Sequence, residues 1–235
     1  MLQLLPTRYG KGVEILGDYL DQSNLRHCIS ILTEIFTETT DEETNVTVSD
    51  FLYHIHHEVR KATEGARTIK SMDFPSFTRG QKTKYLGFKL SWPRMIFLAM
   101  VFNEALKHEL SSPIKRHLKF YYDEILDTCL EADESFGTSV SEITQYLAKR
   151  CPSLEEDLPH HQIVITWAEM QIFQNKFEHK GSNRYKNILK TLAVFNPDGF
   201  EYRRLIQTLK EIADEKRCSI NALAYADEYY DNIKW

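Results

Sequence analysis

The sequence predicts an α+β fold, a small N-terminal antiparallel sheet packed against a mainly helical body. Three observations carry this. Short apolar runs at 2–5 and 13–16 flank "TRYGKG". An aromatic, loosely alternating stretch, "KYLGFKLSW", occupies 84–92. From Pro93 almost to the end, apolar residues recur at helical spacing.

Gly10 and Gly12 supply the freedom of a tight turn, so the chain is expected to open with a β-hairpin. Asp21 or Ser23 then caps a helix over 24–36, with Leu25, Ile29, Leu32 and Phe36 on one face. The acidic, Thr-rich run 37–47 reads as a solvated loop. Ser49 opens a helix to about residue 70, because Phe51, Leu52, Ile55, Val59, Ala62, Ala66 and Ile69 share one sector. Residues 71–81, with Pro75 and Gly80, read as irregular. The strand 84–92 follows, with Gly87 at a bulge.

Pro93 suits the first turn of a helix, and 94–110 is apolar nearly all round, the mark of a central buried helix. Ser112 and Pro113 open a helix over 113–131, and a shorter one spans 139–150. A long helix runs from Pro159 to "HKGS", with Gly181 as C-cap. It has two apolar sides: Ile163, Trp167, Met170 and Phe177, then Ile165, Ala168 and Ile172. Such a helix is sandwiched between neighbours, and Trp167 is expected to anchor it. "NPDG" at 196–199 separates helices at 184–195 and 200–217, and Ser219 caps a last one. The shift in character near Trp92 divides a sheet-containing part, about 1–92, from a helical part, about 93–235. The buried character of 94–110 argues that both belong to one domain.

With 235 residues, 42% hydrophobic and 27% charged, the chain can bury a sizeable core, and a formal net charge of −5 argues against binding nucleic acid over its whole surface, though not through a local patch. Cys28, Cys129, Cys151 and Cys218 form no CxxC pair and fit a reducing compartment. The N-terminus lacks the pattern of a signal peptide, and the longest apolar run, "MIFLAMVF", is too short to span a bilayer. The expectation is a cytoplasmic protein with no membrane contact and no cofactor.

"TRYGKGVEILGDYLD" and "SWPRMIFL" resemble a bacterial family that carries only a domain-of-unknown-function label. The resemblance covers about the first hundred residues. It implies a small bacterial cytoplasmic protein and transfers no active site.

The chemistry-bearing clusters are few. In "HIHHE", His54, His57 and Glu58 have the three-and-four spacing of helical metal ligands, but His56 does not, and Lys61 puts a cation beside His57. No HExxH follows, so no metal site is expected. Asp123, Glu124, Asp127, Glu131, Asp133 and Glu134 load the end of a helix whose start carries Lys115, Arg116 and Lys119, opposite to the dipole's preference. Basic residues from elsewhere in the fold, a partner or a cation should answer them, with salt bridges inside the fold the first expectation. Residues 209–230 mimic a helix-turn-helix, but Asp227, Glu228 and Asp231 on its second helix repel phosphate. There is no GxSxG, Walker-A loop or GxGxxG, and no catalytic residue is assigned.

Charge is distributed unevenly. From Arg60 to Arg94, nine cations (Arg60, Lys61, Arg67, Lys70, Arg79, Lys82, Lys84, Lys89 and Arg94) face only Glu64 and Asp73, a local balance of +7 that leaves −12 for the remainder. Phe74, Phe77, Tyr85, Phe88 and Trp92 are interleaved with them. Cations for phosphates and rings for stacking would suit single-stranded nucleic acid, and the cations alone would suit an acidic protein. Lysines guarding an edge strand would leave the same trace. The residues expected to bind an anion are Arg79, Lys82 and Lys84, then Lys89 and Tyr85. Two function classes follow: a binding or regulatory protein using segment 60–94, or a hydrolase or nuclease in which His54 or His57 meets Glu124 or Asp127.

Overall fold

The turn and cap residues set the element boundaries in the computed structural model, which describes residues 2–38, 48–73, 82–150, 160–174 and 183–223. The fold is α+β and mainly helical. Contacts divide the chain into two compact units: Met1–Thr7 with Val13–Leu90, and Arg8–Gly12 with Ser91–Trp235.

In the first unit, β1 (Gln3–Pro6) pairs antiparallel with β2 (Gly12–Gly17), Leu4 opposite Ile15 and Leu5 opposite Glu14. The turn passes through Gly10 at φ +63°, in the left-handed region open to glycine. β3 (Thr68–Asp73) pairs antiparallel with β4 (Lys82–Ser91), and the order β1-β2-β4-β3 makes one antiparallel sheet with β3 at its edge. Every residue of β2 is buried. Gly87 of β4 lies so close to β2 that a Cβ would fall 2.6 Å from the Ile15 carbonyl oxygen.

Two helices pack together in this unit, α1 (Tyr19–Glu38) and α2 (Val48–Thr63). α1 starts earlier than its apolar periodicity suggests. Asp18 accepts from the Asp21 amide at 2.9 Å and Asp21 accepts from the Asp18 amide at 3.1 Å, a capping box built from two aspartates. Leu25, Ile29, Leu32 and Phe36 form its buried face, as expected. Gln22, fully buried, donates from Nε2 to the Leu86 carbonyl of β4.

α2 stops seven residues before the expected end. Gly65, at φ +75°, donates to the Ala62 carbonyl, and Ala66 donates to Lys61, the paired bonds of a Schellman stop. Ala66 and Ile69 continue the helical rhythm in sequence but lie beyond this stop. Residues 68–73 are therefore strand β3, and Ile69 is 53% exposed.

In the second unit, α3 (Trp92–Ala105) is the central buried helix: twelve of its fourteen residues are buried, Arg94 and Asn103 excepted. Ser91 caps it and Pro93 sits in its first turn. α4 (Ser112–Ala132) and α5 (Glu134–Arg150) pack on α3 and on each other. α5 begins before residue 139 because Asp133 accepts from the Phe136 amide at 3.0 Å.

α6 (His161–Gln174) packs on α3, on α7 (Asn183–Leu192) and on two short 3-10 turns, Ala193–Phe195 and Ile220–Ala222, so it is sandwiched as expected. Its buried set differs, however. Ile163, Val164, Ile165, Ala168, Glu169 and Ile172 are buried, whereas Trp167 and Met170 are half-buried; Phe177 and Gly181 lie outside the described residues. After the Asn196–Gly199 turn, α8 (Phe200–Lys216) ends at Arg217 in the left-handed region. Ser219 caps the second 3-10 turn, and the expected final helix beyond residue 223 lies outside the described residues. Among the described residues, no helix is long and apolar enough to cross a membrane.

The aromatic anchor of this unit is Trp92, not Trp167. Its ring meets Phe136 edge-on at 4.9 Å and Tyr185 at 6.2 Å, and it is fully buried. Trp92→Ala should cost ~3–5 kcal/mol, the range for large aromatic truncations in cores. Trp167→Ala should cost clearly less. Thermal melts of the two variants check this, and a larger loss at Trp167 would contradict the burial order.

Candidate anion-binding surface

The basic segment is spread over α2, β3, β4 and the start of α3, and most of its described cations are already paired. Arg67 clasps Glu58 with two bonds, Nε to Oε2 at 2.8 Å and Nη2 to Oε1 at 2.7 Å, and Lys61 lies 3.8 Å from the same carboxylate. Burial pushes the Glu58 carboxyl up, but the hydrogen bond and charge of Arg67, with Lys61 and His57, outweigh it and hold the group below its ordinary range. Lys70 of β3 donates to Glu14 of β2, and Arg60 lies 3.5 Å from Glu64. Three of the carboxylates concerned, Glu14, Glu58 and Glu169, lie outside the segment.

Glu169 answers Arg94. Its buried carboxylate accepts from Arg94 Nε at 2.8 Å and Nη2 at 3.4 Å and from the Ser91 hydroxyl, while Ser91 Oγ accepts from the Arg94 amide. This network lies at the N-terminus of α3, where the Trp92 indole N–H donates to the Gly10 carbonyl at 3.0 Å. The two sequence stretches that carry the family resemblance, "TRYGKG" and "SWPR", therefore meet here.

The five expected anion-binding residues separate. Arg79 lies outside the described residues. Lys82 opens β4 opposite Asp73, and its side chain is outside the described set. Lys84 is exposed and stands opposite Ser71, itself exposed; Lys89 is half-exposed. Neither Lys84 nor Lys89 has a carboxylate partner among the described residues. Tyr85 is 2% exposed, so its ring is packed in the core and is not presented to a ligand; Phe88 and Trp92 are also buried. In this strand the aromatic residues serve the fold, a distinction that composition does not make.

Two of the three histidines of "HIHHE" are engaged with arginines, and the ring of His54 meets Tyr53 edge-on at 6.4 Å. Arg26 Nε donates to His56 Nε2 at 3.1 Å, and Arg60 Nη2 lies 3.2 Å from His57 Nδ1. With Glu58 committed to Arg67, the set is not arranged as ligands. Among the described residues no group of three or more His, Cys, Asp or Glu side chains could hold a metal ion. On α4, Lys119 pairs with Asp123 at 2.7 Å. Burial first, then Asp127, Glu131 and Asp123, raise the Glu124 carboxyl above its ordinary range. Asp133 is used as the α5 cap. The residues 227, 228 and 231 of the helix-turn-helix mimic lie outside the described residues.

Sequence reasoning treated Arg94 as one cation of a strip and did not single out Glu169. A glutamate flanked by Ala168 and Met170 within an apolar helix was the available signal, since a buried carboxylate needs a partner. Glu169→Ala should destabilise by ~3–5 kcal/mol, because it takes the carboxylate from a guanidinium only 23% exposed. The double replacement Arg94→Met with Glu169→Leu should recover most of the loss. Urea unfolding of the three proteins gives the values, and a near-neutral Glu169→Ala would contradict the buried pair.

No curated protein matches the chain, and no solved structure does. A family model described as a domain of unknown function, DUF6904, matches residues 2–235, well past the first hundred residues to which the N-terminal motifs pointed. The chain belongs to the DUF6904 family.

Proposed function

We propose that this chain is a binding or regulatory protein of the bacterial cytoplasm that contacts an acidic protein segment through the β3–β4 strand pair. One observation carries the reading. Lys84 is exposed, has no carboxylate partner among the described residues, and shares its face of the strand pair with exposed Ser71 and Ile69. An apolar side chain beside an uncommitted cation suits a partner that brings carboxylates and a little apolar surface.

The same face supports single-stranded nucleic acid less well. Stacking requires presented rings, and Tyr85, Phe88 and Trp92 are buried. The buried thiols of Cys28 and Cys129 support a reducing compartment, burial holding the Cys28 thiol up at about 11 and raising that of Cys129 as well.

Fluorescence anisotropy with a labelled Asp/Glu-rich peptide containing isoleucine, and with labelled single-stranded RNA and DNA, tests this at low and moderate salt. The peptide should bind more tightly than the oligonucleotides, and its affinity should fall with salt. The combined variant Arg79→Ala, Lys82→Ala, Lys84→Ala should lose that binding with little change in melting temperature. Preference for oligonucleotides would replace the acidic protein by nucleic acid, and no binding of any probe at low salt would remove the reading. If the variant melts instead, these lysines are structural and the proposal fails.

A further inference from the structure

We propose that α1 and α2 carry a second anion seat, formed by Arg26, His56, His57 and Arg60, that takes a phosphate group. A guanidinium has donors only, so in both Arg–His contacts the ring nitrogen must accept. Where the ring nitrogen accepts in this way, the ring proton of His56 sits on Nδ1 and that of His57 on Nε2. Two arginines thus spend donors on imidazole lone pairs. Among the described residues Arg26 has no carboxylate partner, and Arg60 has only the exposed Glu64.

The charged groups facing His56, Arg26 and Arg60, are both cations, and its titratable neighbour is another histidine, His57. Arg26 reaches it from α1, and Arg60 and His57 lie beside it on α2. Burial first, then these three groups, hold its protonation below the ordinary histidine range. The acid nearest in sequence, Glu58, is clasped by Arg67. An arrangement of two guanidiniums and two imidazoles answered only by the exposed Glu64, 3.5 Å from Arg60, is incomplete electrostatically. A tetrahedral oxyanion completes it, because it offers several acceptors to donors arriving from two helices, and arginine forks match phosphate oxygens in pairs. Arg26 is exposed and the other three are partly exposed, so the seat is open to solvent.

Proton linkage gives the seat a signature. Without the anion, a folded-state pKa below the unfolded value means that the unfolded chain takes up the His56 proton more readily. The stability His56 contributes is then present above about pH 6.5 and is lost as pH falls through the folded value. A bound phosphate reverses the local field and raises that value, so it should protect the protein most on the acid side.

The experiment is NMR of ring-labelled histidines in the full chain, titrated with inorganic phosphate at constant ionic strength against sodium chloride. His56 should show the Nδ1–H tautomer and His57 the Nε2–H tautomer in the free protein. Phosphate should shift both saturably and raise the His56 pKa. Arg26→Ala, at an exposed position, should weaken phosphate binding by roughly tenfold, the loss of one charge-assisted donor. The combined Arg79, Lys82 and Lys84 variant should bind phosphate as the natural protein does, which separates this seat from the strand surface. Equal, non-saturating shifts with chloride and phosphate would mean ionic screening only and would overturn the proposal. So would an Arg26→Ala variant that binds phosphate unchanged.

Discussion

Much of the second unit depends on one constraint: twelve of the fourteen residues of α3 are buried, so the polar groups at its N-terminal end must find protein partners. The Trp92 indole N–H goes to the Gly10 carbonyl, the Trp92 amide to Lys11, and Ser91 and Arg94 to Glu169. Left unmade, each would carry the full desolvation penalty of a buried polar group. The need for these acceptors explains why the turn residues Arg8–Gly12 are counted with the helical unit although they connect two strands of the sheet. It also explains the tightness at Gly10, where a Cβ would fall 2.4 Å from the Arg184 side chain.

A similar logic governs the sheet-bearing unit, with charge in place of dryness. The positive segment from Arg60 to Arg94 looks uncompensated when read along the chain. In space, Arg67 is answered by Glu58 and Lys70 by Glu14. What remains is a small residue of uncommitted cations on β4, together with the arginines that rest on histidines between α1 and α2. Net charge over a sequence window therefore overstates the anion-binding surface, because carboxylates 9 and 56 positions away cancel part of it.

Two of the differences between expectation and structure share a cause. Periodicity carried α2 through Gly65 to Ile69, but a left-handed glycine ends a helix through backbone hydrogen bonds that periodicity does not register. Periodicity also made Trp167 the anchor of α6. Which of two apolar sides is the drier depends on the neighbours, and these placed Ile165, Ala168 and Ile172 inside and left Trp167 half-buried.

The sequence by itself determined the class of the fold, the hairpin at 2–17, the all-round burial of α3, the buried face of α1 and most helix boundaries. These follow from local chemistry: glycine turns, caps, prolines and the spacing of apolar residues, all readable within a few positions. Only the tertiary structure decided that residues 68–73 form the edge strand, that Tyr85 belongs to the core while Lys84 faces solvent, and that Glu169 closes on Arg94. Each of these depends on groups far apart in the chain. Strand partners, buried ion pairs and the drier side of a helix are chosen by what approaches from elsewhere, and hydropathy along one strand or helix does not record the approach.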